Sequence, residues 1–446
     1  MDYKNVKGTH DVILDEADAY SFVEAILRSV SERFNFKEFR IPVLESTSLF
    51  NRSVGESSDI VRKEMYTFLD KGDREITLRP EFTAGIIRSF VNAKLYATAT
   101  LPVKAHYCGP VFRYERPQLG RYRQFNQFGV ELIGATSLYH DLEVLMMGYE
   151  SLRALHLDNV KVLINTLGDQ KSRDDYRNAL KEHFVPVIDN MCPDCKNRLD
   201  LNPLRILDCK VKEDRQYIET APKIKDFLSE ESKNRFNTIV DILTALEIPF
   251  EIDDTLVRGL DYYSELVFEY HYTTKDGVNY GAIGAGGHYG SLVHEIGGPA
   301  MDGVGLSFGV ERLYSVLRDD GLLPDFKELR PLHVVLLPLS VETSDAAFAI
   351  STLARRSGFI SDIDFSYSKV GTLLKRASKT NADFAIILGQ EEVDNGVVNI
   401  KNLRENTQTS VKLEEVIDYL KNFYENLINN ESSNDLEIVE KEYESW

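Results

Sequence analysis

The chain has 446 residues, 43% hydrophobic and 28% charged, with 71 acidic against 52 basic side chains and a formal net charge of −19. That length allows two or three domains with filled cores, and the balance is ordinary for a globular protein, while the charge argues against general adhesion to nucleic acid and leaves room for a polyanion held at local basic sites. No run approaches membrane-spanning length, the N-terminal MDYKNVKGTHD has no signal-peptide core, and four cysteines make no disulfide framework, so a cytoplasmic protein with no membrane partner is expected.

In chain order, the turn-like Lys7-Gly8-Thr9-His10-Asp11 precedes Ala19, Phe22, Val23, Ile26, Leu27 and Val30, whose spacing predicts an amphipathic helix to about Phe34. Phe39, Ile41 and Val43 alternate as in a strand, with Pro42 marking a bend or an edge. Residues 65–70 and 75–80 read as a hairpin about Lys71-Gly72-Asp73. The second strand runs into a helix beginning at Pro80-Glu81-Phe82-Thr83. Glu81 and Thr83 there are candidate ligand contacts, and a helix cap is the other reading of the same pair.

The stretch 108–134, CGPVFRYERPQLGRYRQFNQFGVELIG, predicts two strands joined by a long loop. The loop crowds Arg113, Arg116, Arg121 and Arg123 into eleven residues. Mutually repelling guanidiniums suit fork-like recognition of phosphate; a solvated, salt-bridged loop is the alternative. In the second strand Gln127 and Glu131 sit on one face, and a buried carboxylate needs a partner. An acid and an amide beneath an arginine-rich loop suit a zwitterionic ligand joined to a polyphosphate.

A helix over 138–155 and a strand over 158–165 lead to 170–250, a charged, glycine-free and helix-favouring stretch that reads as a helical insertion. It contains Cys192, Cys195 and Cys209. A structural zinc takes four ligands and no fourth cysteine or well-placed histidine follows, so ordinary reduced cysteines and no metal site are expected, with a metal held by the first pair and a distant partner as the other reading. Arg258, Tyr262 and Tyr263 in TLVRGLDYY form a binding corner before a strand at 266–270, with packing as the other reading of the tyrosines. YGAIGAGGHYG over 280–290 is a glycine-dense strand that permits close approach of a ligand or another backbone; it lacks the strand-turn-helix context of a dinucleotide fingerprint. GVGLSFGVERL then runs strand into helix, placing Arg312 near a helix N-terminus, where a cation is unfavourable without an anion beside it.

After a charged linker at 323–330, strands at 332–338, 360–365, 384–388 and 397–401 alternate with helices at 343–357, 369–379 and 413–424. This is a small independent α/β domain with a mixed sheet. Lys375, Arg376 and Lys379 cluster on its second helix, as a nucleic-acid contact or a solvated face. The tail after Tyr424 carries seven acids and one lysine and reads as a frayed end. The expected division is 1–325, 331–425 and 426–446.

Taken together, these motifs resemble the class II aminoacyl-tRNA synthetases, and within them the histidyl-tRNA synthetase family, over almost the whole chain. KGTHD is similar to that family's N-terminal signature. The region around Pro42, FRYERPQLGRYRQFNQ and GVGLSFGVERL resemble the three class motifs, the first of them dimer-forming. VRGLDYY and AIGAGGHYG resemble two histidine-specific motifs, and DFAIILGQEEVDNGVVNIKNL resembles the anticodon-binding domain. The resemblance implies an α+β fold: an antiparallel-sheet catalytic domain with a helical insertion, followed by an α/β anticodon-binding domain.

It further implies that histidine and ATP form histidyl-adenylate, whose acyl group passes to the 3′ end of tRNA(His), in a symmetric homodimer using Mg²⁺. By that likeness Arg113 and Arg258 grip the α-phosphate and the carboxylate. Arg312 and Phe125 sandwich the adenine, Arg121 and Arg123 take the outer phosphates, and Glu115 orders the adenine and the tRNA end. Glu81 and Thr83 receive the ammonium group; Glu131 and Tyr263 face the imidazole, supported by Gln127 and Tyr262. Arg116 and Gln118 contact the tRNA acceptor end, and the insertion clasps the acceptor stem. Two positions depart from the family pattern: Phe82 stands where glycine is usual, narrowing the amino-group end, and Asn126 where histidine is common. A catalytically inactive histidine-binding regulatory subunit of histidine biosynthesis is the alternative, as are class II relatives for proline, threonine or glycine.

Overall fold

The structure is a computed structural model; it describes residues 3–425 except 54, 56–57, 59, 117–119 and 259–261, and at 328 and 329 the backbone only. Gln118, the Gly259–Asp261 part of VRGLDYY and the acidic tail therefore lie outside the described residues. The chain divides after Leu323 into two compact units.

The strands of the first unit are β1 (Lys37–Glu38), β2 (Leu44–Ser46), β3 (Tyr66–Leu69), β4 (Glu75–Leu78), β5 (Val103–Phe112), β6 (Gln124–Ala135), β7 (Val160–Thr166), β8 (Phe250–Ile252), β9 (Tyr263–Thr273), β10 (Asn279–Tyr289) and β11 (Asp302–Gly309). Eight of them form one sheet in the order β1-β5-β6-β11-β10-β9-β7-β8, and β2-β4-β3 form a small separate sheet. The large sheet is antiparallel except where β1 joins β5 and β8 joins β7.

Period-two alternation along the strands decides what each face does. Phe128, Val130 and Leu132 of β6, Val304, Leu306 and Phe308 of β11, and Leu266, Phe268, Tyr270 and Tyr272 of β9 point into one core. The helices Asp15–Arg33, Leu138–Ala154 and Val310–Asp319 close that core with Val23, Leu27, Val30, Leu142, Leu145 and Leu313. The intervening residues Gln127, Gly129 and Glu131, together with Gly303, Gly305 and Ser307, alternate onto the other face. There Tyr107, Tyr263, Tyr289 and the helix Thr83–Asn92 form a second cluster.

Residues 39–43, expected as a strand, are not one. The Arg79 guanidinium takes the carbonyls of Ile41 and Pro42 at 2.8 and 3.2 Å, so those acceptors are unavailable to a ladder. The stretch 170–250 is also less uniform than a single helical insertion. The helix Glu230–Ala245 sends Ile239 and Leu243 into the main core, whereas Tyr176 to Ile224 close a core of their own.

The charged linker expected at 323–330 contains a four-residue helix, Phe326–Leu329, capped by Asp325. The sheet of the second unit has the order β13-β12-β14-β15-β16: β12 (His333–Pro338), β13 (Ile360–Ile363) and β14 (Phe384–Leu388) are parallel, and β15 (Val397–Asn402) and β16 (Gln408–Lys412) antiparallel. The helices Ser344–Arg356, Val370–Lys379 and 416–425 accompany it. β16 escaped the sequence reading because it is a polar, mostly exposed edge strand with no apolar alternation.

Leu27 is fully buried under the large sheet. Leu27→Ala should cost about 2–5 kcal/mol, the usual transfer-plus-cavity loss. Urea denaturation followed by a probe in the first unit should show a lower midpoint at unchanged slope.

Candidate active site

Glu131 lies in the middle of β6, 1% exposed, and its carboxyl is held by three hydroxyls. Thr83 Oγ1 and Tyr107 OH donate to Oε1 at 2.6 and 3.1 Å, and Tyr289 OH donates to Oε2 at 3.0 Å. Glycines make this convergence possible. Tyr107 crosses its β6 neighbour Gly129, where a Cβ would stand 2.4 Å from the phenol oxygen. Tyr289 crosses Gly303, where a Cβ would fall 2.3 Å from the ring. Gly305 pairs with Glu131 itself, and a Cβ there would come within 2.0 Å of Oε2. Gly287, which pairs with Gly305 from β10, leaves room for the Tyr263 ring.

Around this floor stand the predicted ligand contacts. Glu81 is buried and accepts from the N–H groups of Thr83 and Ala84 at 2.5 and 2.9 Å, so it does cap the helix Thr83–Asn92. Thr83 differs: its hydroxyl turns to Glu131. Tyr262 and Tyr263 pack ring to ring at 4.6 Å, and Tyr262 meets the edge of Tyr289 at 5.8 Å. Gln127 donates through Nε2 to Ser307 Oγ at 2.8 Å, while its buried Oε1 has no partner among the described residues. Phe82 stacks on Tyr107 at 4.3 Å beneath the Arg79 guanidinium, so it walls the pocket from within the core.

The arginines ring the same face. Arg113 donates from Nε to Pro80 O at 2.8 Å, and its guanidinium carbon lies 5.4 Å from the centre of the Phe125 ring. Arg258 donates from Nη1 to Glu269 Oε1 at 2.6 Å and lies 5.5 Å from the Tyr263 ring; His271 Nε2 stands 2.8 Å from the other oxygen of Glu269. Arg312 reaches Ala282 O at 2.5 Å, with its buried Nε unpartnered among the described residues. Arg121 and Arg113 approach Glu115 at 3.5 and 4.0 Å. Arg123 lies 3.7 Å over Tyr114, and its backbone N–H donates to Gly8 O at 2.7 Å, so the KGTHD segment anchors the loop. Arg116 is exposed on that loop. In the second unit Lys375 and Lys379 are exposed, and Arg376 donates to Ser366 Oγ at 2.6 Å beside Asp364.

Burial raises the Glu131 carboxyl to about 8, reinforced by Glu81 and opposed by the three hydroxyls. Glu81 is also pushed up by burial, against the pull of its helix N–H bonds and Arg113. Burial would raise Glu269 too, but the His271 hydrogen bond and the Arg258 charge outweigh it and hold the carboxyl below its ordinary range. Two acids of one sheet, on β6 and β9, thus differ: Glu131 resists ionisation and Glu269 is fixed as an anion beside an arginine.

The sequence reading missed Tyr107, Tyr289, Ser307, Glu269 and His271. Tyr289 lay within the glycine-dense segment already singled out, and Glu269 shares the strand face of Tyr263 at period two; both were legible signals. Tyr107 carried none, because a strand tyrosine usually packs. Glycines 286 and 287 yield to Phe268 and Tyr263, side chains of this chain, and not directly to a ligand.

An antiparallel sheet carrying a hydroxyl-bound acid and an arginine ring, followed by a unit with a mixed five-stranded sheet, defines a class II aminoacyl-tRNA synthetase. Residues 8–313 match the histidyl-tRNA synthetase family and residues 333–423 the anticodon binding domain. The chain is 43% identical over 424 residues to the histidine–tRNA ligase of Geobacillus sp. strain WCH70, covering 94% of this chain and 99% of that one. It is 43% identical over 425 residues to its counterpart in Listeria innocua, covering 95% and 99%. The crystal structure of apo Staphylococcus aureus histidyl-tRNA synthetase superposes with a TM-score of 0.80 at 35% identity, over 94% of this chain and 100% of that one. The chain belongs to the histidyl-tRNA synthetase family.

Glu131 titrates near 4.5 when exposed and about 8 when folded, so its ionisation opposes folding: the penalty is absent below the first value, grows between them and is complete above the second. Glu131→Gln should therefore raise the thermal midpoint of ligand-free protein over wild type at about pH 9 and change it little at about pH 4. Equal shifts in paired thermal scans would show that this carboxyl does not titrate across the range.

Proposed function

We propose that this chain is a histidine–tRNA ligase: it joins histidine to ATP as histidyl-adenylate, releasing pyrophosphate, and passes the histidyl group to the terminal ribose of tRNA(His). The observation that carries the reading is the buried Glu131 beside Tyr263 on the face ringed by Arg113, Arg258 and Arg312. Once ionised, Glu131 has about four lone-pair sites, of which three hydroxyls take three; the fourth is left for an imidazole N–H, whose approach favours the anion that burial alone opposes. Tyr263 addresses the other side of the ring, with Tyr262 and Gln127 in support, so a side chain lacking either ring nitrogen leaves buried groups unpaired. Glu81 and Thr83 receive the ammonium group.

The nucleophile is the histidine carboxylate, already ionised, so activation needs no base; it needs positioning and a sink for phosphoryl charge. Arg113, steered by Pro80 O, presents its remaining N–H donors to the α-phosphate. Arg258, fixed by Glu269, presents its own to the carboxylate. As the bond from the carboxylate oxygen to phosphorus forms, the bond to pyrophosphate breaks, and Arg121 and Arg123 stabilise the departing phosphates. Arg312 and Phe125 stack the adenine. Mg²⁺ would be held chiefly by the phosphate oxygens and would neutralise part of their charge. Glu115, whose arginine partners stand at 3.5 and 4.0 Å, orders the adenine and the tRNA end.

Arg116 and Gln118 meet the tRNA acceptor end, the insertion clasps its stem, and the second unit with Lys375, Arg376 and Lys379 reads the anticodon, where unstacked bases are accessible. A symmetric dimer fits Leu44, Phe68 and Leu69, exposed on the β2-β4-β3 sheet. No helix among the described residues is long and apolar enough to cross a membrane, and we place the protein in the cytoplasm. A histidine-binding regulatory subunit is disfavoured, because Arg113, Arg258 and Arg312 all stand on the site face and the anticodon-binding match is complete.

ATP–pyrophosphate exchange should depend on histidine and ignore proline, threonine and glycine; histidine binding without exchange would leave only the regulatory reading. Glu131→Ala should lower kcat/KM for histidine by about 100-fold or more, since the ring loses its paired acceptor. Raising salt should weaken tRNA charging steeply through KM for tRNA and leave exchange nearly unchanged; parallel losses would argue against local phosphate contacts.

A further inference from the structure

The insertion core holds a second constellation, far in chemistry from the phosphate-binding arginines. Between Ile188 and Asp226 the only helix longer than four residues is Pro193–Leu201; the rest is single turns. The insertion core has eleven buried side chains, and cores this small are commonly reinforced by a covalent or metal staple. The three cysteines expected to be ordinary thiols meet there. Cys195 is fully buried, and Cys192 and Cys209 flank it within the same small core.

After Cys209 the sequence offered no further cysteine and no well-placed histidine, but the fold supplies a carboxylate. Asp214 is 1% exposed, and one ligand atom from each of Cys192, Cys195, Cys209 and Asp214 lies within 4.8 Å of all the others. Cys192 Sγ and Cys209 Sγ are 3.8 Å apart, and Cys209 Sγ is 3.3 Å from Asp214 Oδ2. Zinc–sulfur bonds of about 2.3 Å in a tetrahedron place two sulfurs about 3.8 Å apart, and a sulfur and an oxygen about 3.5 Å apart. The observed separations fit that polyhedron. They do not fit a disulfide, whose sulfurs sit about 2.05 Å apart.

Each ligand stands on a turn that holds it in place. Cys192 is the N-cap of the helix Pro193–Leu201, with Pro193 at its first position, so Cys195 falls in the first turn. Both cysteines then stand at the N-terminal end of that helix. The Cys192 N–H also faces both Asp214 oxygens at 3.3 and 3.1 Å, which orients the carboxylate. On the other side, Cys209 N–H closes a turn on Ile206 O at 3.0 Å, and Asp214 N–H closes one on Val211 O at 3.2 Å. The groups that touch Asp214 are the cysteines themselves. A buried acid facing three sulfurs, with the Cys192 N–H on its oxygens, is a donor set for a soft divalent cation.

We propose that Cys192, Cys195, Cys209 and Asp214 bind one zinc ion, which clips the two halves of the insertion core together and leaves no open position for catalysis. The ion displaces the thiol protons as it binds, so affinity rises with pH. Sulfur-rich tetrahedral coordination selects zinc over magnesium or calcium, and the single carboxylate leaves a mononuclear site.

The test uses the full-length chain, purified under reducing conditions without chelator. Elemental analysis after dialysis should find one zinc per chain, and cobalt reconstitution should give the visible bands of tetrahedral cobalt with a sulfur-to-metal charge-transfer band. Asp214→Ala should weaken zinc binding by about 100-fold or more, whereas Asp214→Cys should keep stoichiometric zinc and shift the cobalt bands towards an all-sulfur site. Should Asp214→Ala fail to fold, the wild-type cobalt spectrum and Asp214→Cys decide the matter. A reduced chain that takes up neither zinc nor cobalt, or that carries iron in their place, overturns the proposal.

Discussion

A carboxyl group sealed into the middle of an eight-stranded sheet is the constraint on which the rest of this molecule turns. Burying Glu131 is unfavourable, and the three hydroxyls only partly offset the loss of water, as its raised proton affinity records. The surrounding sequence is organised to tolerate that cost. Glycines 129, 303 and 305 clear the space into which Tyr107, Tyr289 and Glu131 project, and none of them accepts a Cβ without a collision. A site left under electrostatic stress in its empty state gains most from a ligand with N–H donors. Part of that ligand's binding free energy is relief of the stress. Stability is surrendered where selectivity is needed, and the core on the opposite face restores it.

That division of labour explains which parts of the structure were legible beforehand. Strands β6, β9 and β11 announce themselves because their apolar residues alternate, and Glu131 stands out as an acid inside such a run. The arginine loop was visible from charge alone. Partners contributed by other strands were not. The reason for Gly305 is Glu131, 174 positions earlier, and only register brings them together. Tyr107 reads locally as packing. Residues 39–43 misled because their alternation is real while their carbonyls serve Arg79 instead of a neighbouring strand. The three cysteines were noticed, yet Asp214 was not, since an aspartate in a charged segment looks solvated until the fold buries it.

Net charge gives a poor account of how this chain meets a polyanion. Much of the excess of acids sits in the tail after Tyr424, seven acids against one lysine, whereas arginines 113, 121 and 123 crowd one loop and Arg258 and Arg312 are held at β9 and β10 of the same sheet. Long-range attraction would be weak and short-range recognition strong, a combination that favours a specific partner over nucleic acid in general. The same separation appears inside the site. Glu269 is held ionised by Arg258 and His271, while Glu131 resists ionisation although it belongs to the same sheet. Local partners and burial, and not the sign of the whole chain, set each group's charge.

The arginines are also fixed before any phosphate arrives. Arg113 is tied by one N–H to Pro80 O, Arg258 by one to Glu269 and Arg312 by one to Ala282 O. A guanidinium has five donors, so each tether spends a fraction of them and sets the plane in which the others point. Arg123 is pinned through its backbone to Gly8, whose left-handed φ of 87° and close approach to that side chain leave no room for another residue. The turn at the start of the chain thereby becomes part of the site without touching a substrate. Donors oriented in advance do not have to reorganise when charge shifts onto departing phosphate oxygens, which is where such an enzyme obtains most of its rate. Loosening any tether would leave charge in place and lose direction.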